Sequence, residues 1–270
     1  APHSVRLQAR NLGAERLDPQ LFGQIRGSLV LTGAMLGREG HAALPTPGGD
    51  VIGRRRVDTH IQALQALGAS MRSNDVLHLE ADRLHGADIL LDEASVTATE
   101  NAIMAASTAR GVTHLRNAAS EPHIQELCHM INKMGGRIEN IGSNTLTIHG
   151  VDRLHGAEVE IGPDYLEVVS FIGAAVVTHG SIKIRKAGHQ YLDMIRLVMG
   201  RLGVEWSVDG DDLVVPSDQR LEIESDLGGA IPEISVNTWP AFPTDLMSIA
   251  IVVATQSKGT ILFHDWMYPS

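Results

Sequence analysis

The hexapeptide Asp82-Arg83-Leu84-His85-Gly86-Ala87 returns unchanged 70 residues later as Asp152-Arg153-Leu154-His155-Gly156-Ala157. Each copy is followed by an acidic residue, Asp88 or Glu158, and then by an apolar alternation. Self-similarity at a fixed spacing means one supersecondary unit used several times. Two glycine series run near that spacing, at intervals of 67 and 68 in one and of 71, 69 and 79 in the other. Gly68, Gly135 and Gly203 each close an amphipathic segment, and Gly40, Gly111, Gly180 and Gly259 each follow a helix of small residues. Gly is expected just past a helix end, where the chain turns through positive φ.

The unit can be read from its middle copies. A helix rich in Ala, Gly and Ser comes first, over 101–110 or 170–178, then a short strand, 113–116 or 181–184. An amphipathic helix follows. Ile124, Leu127, Cys128, Ile131 and Met134 fall on one helical face, as do Leu192, Ile195, Met199 and Leu202. Two strands close the unit, 137–141 with 145–149, or 204–208 with 212–215, joined by the turns Gly142-Ser143-Asn144 and Asp209-Gly210-Asp211. The order is βαβαββ-like, so the fold class is α/β. Units run from about 25 to 91, 92 to 161 and 162 to 235, and a fourth begins at 236. Helices of small residues permit close backbone approach, which predicts that they lie buried at the middle of a domain.

Composition narrows the function. Net charge is -10, which disfavours a general nucleic-acid or anionic-membrane surface. A lone cysteine, Cys128, excludes an internal disulfide and points to a reducing compartment, so the cytoplasm is expected. The most apolar stretch, 249–254, falls far below membrane-spanning length. Aromatic residues make up only 4%, so Ala, Val, Leu, Ile and Met must build the core. The chain begins at Ala1, which hints at processing or a fragment.

The stretch from Leu44 to His60 cannot be regular structure at its start, with Pro45, Pro47, Gly48 and Gly49 in succession. It then sets Asp50, Arg54, Arg55, Arg56, Asp58 and His60 within eleven positions and runs into an amphipathic helix. Such a loop suits the handling of an anion. Read alone, a solvated turn accounts for it equally well.

With Pro47-Gly48-Gly49-Asp50-Val51-Ile52-Gly53, Val57-Asp58-Thr59-His60 and Pro240-Ala241-Phe242-Pro243-Thr244-Asp245, the chain resembles the enolpyruvyl transferase superfamily. Within it, the resemblance is to the branch acting on UDP-N-acetylglucosamine. Weaker matches stand at Ala94-Ser95-Val96 and Asn117-Ala118-Ala119-Ser120-Glu121-Pro122. The resemblance implies a two-domain inside-out α/β barrel of six βαβαββ units, roughly 420 residues by repeat arithmetic. This chain supplies about four, as a first domain over 1–162 and part of a second over 163–270. The implied reaction moves the enolpyruvyl group of phosphoenolpyruvate to the 3-hydroxyl of UDP-N-acetylglucosamine and releases phosphate, early in peptidoglycan synthesis. The implied partners are those two small molecules, with no cofactor or metal, nucleic acid or membrane.

The same resemblance assigns roles. Asp50 occupies the general-acid position, where most members have Cys. A carboxylic acid can protonate carbon only if its pKa is raised, and it offers no thiolate for the epoxide fosfomycin to trap. Asp245 matches the residue meeting the acceptor hydroxyl, the candidate base, although Asp at that place also suits a helix N-cap. Arg26 and Arg55 match phosphoenolpyruvate contacts, while Arg54 and Arg56 read as solvated. Asp58, Thr59, His60, Ser95, Val96 and Thr97 match the segments lining the uridine diphosphate. Two departures bear on the acceptor: Glu93 replaces a common Lys, and His123 a common Glu. Another nucleotide acceptor, or an inactive nucleotide-binding paralogue, are the alternatives. A shikimate phosphate acceptor is disfavoured, because its Lys-Ser motif is missing.

Overall fold

The structure, a computed structural model, describes residues 3–10, 17–45, 47–49, 56–73 and 77–267. Among them the elements run α1 (Pro19–Phe22), a 3-10 helix (Arg26–Val30), α2 (Leu31–Glu39), β1 (His41–Leu44) and α3 (Asp58–Ala66). Then come β2 (Ser70–Ser73), β3 (Leu77–Glu80), β4 (Asp88–Leu90), α4 (Val96–Ala106), β5 (Val112–Arg116) and α5 (Pro122–Lys133). After β6 (Arg137–Glu139) and β7 (Thr145–His149) follow α6 (Tyr165–Val177), β8 (Ile182–Ile184), α7 (Asp193–Gly200), β9 (Ser207–Asp209) and β10 (Asp212–Val215). The chain closes with β11 (Glu233–Ser235), α8 (Met247–Ala254) and β12 (Leu262–His264).

The repeat is physical. β4-α4-β5-α5-β6-β7 is a complete βαβαββ unit, folded as a sheet in the order β4-β5-β7-β6 with β4 parallel to β5 and the other pairs antiparallel. The first and third units give three-stranded sheets, β1-β3-β2 and β8-β10-β9, without a leading strand among the described residues. The fourth pairs β11 with β12 in parallel around α8, as the start of a unit should.

Local chemistry fixes the helix starts. Pro122 stands at the first turn of α5, where its missing N–H costs nothing. Ile124, Cys128 and Ile131 then make the buried face that the 3.6 spacing requires. Asp164 caps α6 by accepting from the Leu166 amide at 2.8 Å, and Ser95 Oγ caps α4 by accepting from the Ala98 amide at 3.4 Å. α4 is the hub of the first half. Ala98, Ala102, Ala105 and Ala106 are buried, and α4 packs on α2, α3 and α5. A Cβ added to Gly33 of α2 would stand 2.2 Å from the Asn101 carbonyl oxygen, so the two backbones nearly touch there. The expected central position is realised for α4, whereas α6 and α8 leave Phe171, Ile251 and Val252 exposed.

Several expected boundaries move. α4 begins at Val96, not at 101, because the Ser95 cap starts it, and it ends at Ala106. Gly40 is a left-handed C-cap, but Gly111 and Gly259, also at positive φ, stand five residues beyond their helix ends. At the third position His179 takes the left-handed turn in place of Gly180. The strand expected over 204–208 forms only as Ser207–Asp209, since Val204 and Trp206 turn inward to the core.

Buried apolar residues form two clusters that share no member. One draws on residues from Phe22 to Ile148, the other on Tyr165 to Val253. Cys128 lies in the first, and burial pushes its thiol up to about 12, so it is a core residue.

Candidate active site

A cleft of about 930 Å³ is lined from both sides of that division. From the first half come the 3-10 helix at Arg26, the N-terminal turn of α4 (Ser95, Val96, Thr97) and the N-terminus of α5 (Glu121, Pro122, His123). From the second come the segment leading into α6 at Tyr165 and the loop from Asn237 to Asp245, with Trp266 closing one side. Six of the ten residues expected from sequence line it: Arg26, His60, Ser95, Val96, Thr97 and Asp245.

The other four are placed differently. Asp50 and Arg55 lie outside the described residues. Asp58 is exposed at the start of α3 and pairs with Arg56 at 3.3 Å. Thr59 is 1% exposed, and its hydroxyl donates to Asp92 Oδ1 at 2.7 Å, with Glu93 Oε1 also at 3.2 Å. It ties α3 to the segment before α4.

Arg56 is exposed, as the sequence suggests, and it also lines the cleft. Its guanidinium meets Asp92 at 2.8 Å, and its carbonyl accepts from Arg26 Nη2 at 2.7 Å. The Thr59 hydroxyl, followed by the Arg56 guanidinium, holds the Asp92 carboxyl below the ordinary range. This latch sets the backbone that follows the Asp50 loop against the Arg26 helix. A pair of opposite charges 36 residues apart in sequence gives no local signal.

His60 is 5% exposed, with both ring nitrogens engaged by Asn101 and Thr97. Burial, and then the charge of Arg26, push it down to about 4, so the ring is neutral. Asp245 is exposed and, among the described residues, makes no side-chain hydrogen bond. It does not cap α8, whose N-cap is Leu246, and its carboxylate stands open to the cleft.

Sequence reasoning missed two half-buried carboxyl groups, of which Glu121 lines the cleft. Glu121 occupies the N-cap of α5 without making the cap hydrogen bond, and its Oε2 is buried without a partner among the described residues. Burial raises its pKa, and Asp245 adds to that effect. Glu100, one turn along α4, is held at about 7 by burial and by the charge of Glu121. The Tyr165 hydroxyl is pushed up by burial, then by Glu121 and Asp245, and its ring packs at 5.3 Å on Trp239. These groups come from three elements, so no contiguous motif marks them. Among the described residues, no group of three His, Cys, Asp or Glu is placed to hold a metal ion. Nor, among the described residues, is any helix long and apolar enough to cross a membrane.

The fold and the cleft define an enolpyruvyl transferase scaffold. The family described as EPSP synthase (3-phosphoshikimate 1-carboxyvinyltransferase) matches residues 4–262, and the chain belongs to that family. It is 51% identical over 265 residues to the UDP-N-acetylglucosamine 1-carboxyvinyltransferase of Treponema denticola, covering 98% of this chain and 62% of the relative. It is also 51% identical over 270 residues to the enzyme of that name from Bradyrhizobium diazoefficiens, covering 100% and 63%. The chain thus spans under two thirds of the length of these relatives. Among solved structures, the enolpyruvyl transferase NikO from Streptomyces tendae superimposes with a TM-score of 0.76 at 22% identity, over 92% of this chain and 58% of that one. EPSP synthase from Acinetobacter baumannii gives 0.60 at 16%, over 88% and 54%.

Proposed function

We propose that this protein transfers the enolpyruvyl group of phosphoenolpyruvate to the 3-hydroxyl of UDP-N-acetylglucosamine, with release of phosphate, in the cytoplasm and as an early step of peptidoglycan synthesis. The observation that carries the reading is the convergence of Arg26, the α4 N-terminal turn and Asp245 on one cleft. Relatives 51% identical that bear this activity in their names support it.

The chemistry needs cations for phosphate and carboxylate, a base for the hydroxyl and an acid for C3. Arg26, fixed through Arg56, supplies the described cation, and Arg55 a second. Asp245, with its carboxylate unengaged, takes the proton of the attacking hydroxyl. Asp50 gives a proton to C3 of phosphoenolpyruvate. The first turn of α4 (Ser95, Val96, Thr97) forms the uridine diphosphate side; Asp58, Thr59 and His60 act there by holding other residues, Asp58 through its pairing with Arg56. Residues 1–162 and 163–270 are proposed as the two domains, a division supported by the two separate apolar clusters.

A second reading keeps the chemistry and changes the acceptor. Glu93 and His123 both line the cleft, and a carboxylate beside a diphosphate opposes its binding. Phosphate release measured with phosphoenolpyruvate and a panel of UDP-sugars tests both. Turnover with UDP-N-acetylglucosamine above the other acceptors is expected. Preference for another nucleotide sugar selects the second reading, and silence across the panel overturns both.

A further inference from the structure

Asn101 is fully buried near the middle of α4, and both ends of its amide are committed. Its Oδ1 accepts from the Gly33 backbone N–H at 2.6 Å, and its Nδ2 donates to the Leu29 carbonyl at 2.9 Å. Neither partner can change role, because a backbone N–H only donates and a carbonyl only accepts. The amide orientation is therefore forced. Its remaining Nδ2 hydrogen faces His60 Nδ1 at 2.8 Å, so that ring nitrogen is the acceptor. A neutral imidazole that accepts at Nδ1 carries its hydrogen on Nε2. Nε2 lies 3.1 Å from Thr97 Oγ1, and the hydroxyl oxygen accepts. The hydroxyl's own hydrogen finds no acceptor among the described residues, and Thr97 lines the cleft.

We infer that Asn101, His60 and Thr97 form a one-way hydrogen-bond relay that presents the Thr97 hydroxyl to the cleft as a donor for the diphosphate of a nucleotide acceptor. The inference rests on the proposed function and deepens it. Every link is set by the one before, beginning at two backbone groups that cannot reverse. Left to itself a threonine hydroxyl donates or accepts as its neighbour requires; here the His60 Nε2–H takes one of its lone pairs and its hydrogen is left to donate into the cleft, which favours an oxyanion at that point. The surroundings agree. Thr97 is in the first turn of an eleven-residue helix, where the dipole favours negative charge, and Arg26 lines the same cleft. Thr97 touches the ligand, whereas His60 and Asn101 are positioning residues.

Two measurements test the relay. In the native protein, nitrogen-15 NMR of the histidine rings is expected to show a ring with an unprotonated Nδ1 and a hydrogen-bearing Nε2 that Thr97→Val perturbs. The opposite tautomer for that ring overturns the inference even if no variant folds. Calorimetric titration with uridine diphosphate is expected to show about tenfold weaker binding for Thr97→Val, with Thr97→Ser restoring it, in variants whose melting temperature is monitored. Unchanged affinity in Thr97→Val, or no binding of uridine diphosphate by the native protein, overturns the relay. Phosphate release separates this from the parent reading. Turnover of UDP-N-acetylglucosamine with affinity indifferent to Thr97 leaves the function standing and the relay overturned. Diphosphate binding that needs Thr97, without turnover, does the reverse.

Discussion

Glu100 on α4 stands in the field of Glu121 at the start of α5, and burial together with that second charge holds the Glu100 carboxyl at about 7. The ordinary value is 4.5, so between the two pH values the folded protein binds a proton that the unfolded chain releases. Stability from the neutral carboxyl is complete below 4.5 and is lost as pH rises through about 7. Glu100→Gln keeps the group neutral throughout. In urea unfolding the variant is expected to exceed the native protein by on the order of 2 kcal/mol at pH 8 and to match it near pH 4.5. A difference independent of pH would falsify the assignment.

His60 gives the opposite slope. Its folded pKa is depressed from 6.5 to about 4, so the stability of its neutral form is present above 6.5 and is lost as pH falls through 4. In an NMR titration the His60 ring signals are expected to stay flat from pH 8 to 5.5. A His60 midpoint above 6 contradicts the closed environment described above.

Gly33 tests the α2–α4 contact. A methyl there would meet the Asn101 backbone at 2.2–2.8 Å, whereas one on Gly27 would meet nothing within 4 Å. Gly33→Ala is expected to destabilise by roughly 1–3 kcal/mol and to weaken uridine diphosphate binding, because it displaces Asn101. Gly27→Ala should sit within about 0.5 kcal/mol of the native protein by thermal unfolding. Equal effects from the two sink the packing argument.

Asp245→Asn removes the proposed base and keeps its shape. Turnover is expected to fall roughly 10²- to 10⁴-fold, with little change in the KM for phosphoenolpyruvate. Full activity in this variant moves the base elsewhere.

In its proposed role Asp50 puts a carboxyl where most members of the resembled family have a thiol. After prolonged exposure to fosfomycin, intact-mass measurement is expected to show no adduct and assays no time-dependent loss of phosphate release. Covalent addition at Asp50 would contradict the role given to it.

Much of the fold could be read from the chain because its determinants are local. The apolar stripe of α5 and the strand β7 lie within single elements, and the structure forms both; of the two hexapeptide copies only the first leads into a strand, β4. Boundaries were less legible. Ser95 as a cap begins α4 five residues before its small-residue run, and His179 takes a turn that composition assigned to Gly180. Part of the site was legible through its loops, as at Asp245 and Ser95 to Thr97. The latch between Arg56 and Asp92, the Glu121 Oε2 buried without a partner among the described residues, and the roles of Thr59 and His60 were not. Each depends on residues more than thirty positions apart or on burial, and neither leaves a mark in a short window.

The two apolar clusters meet the same cleft from opposite sides without sharing a buried residue. An occupant of that cleft therefore acts as a third body in folding. On the proposed division into two domains, each half opens with its own free energy when the cleft is empty. Filled, neither half can open without surrendering the ligand, and the two stabilities become one quantity, raised by RT ln(1 + [L]/Kd). Hydrogen exchange in α4 and in α6, distant in sequence, should then slow together with ligand concentration, so that occupancy of the cleft is legible in amides that never touch the ligand.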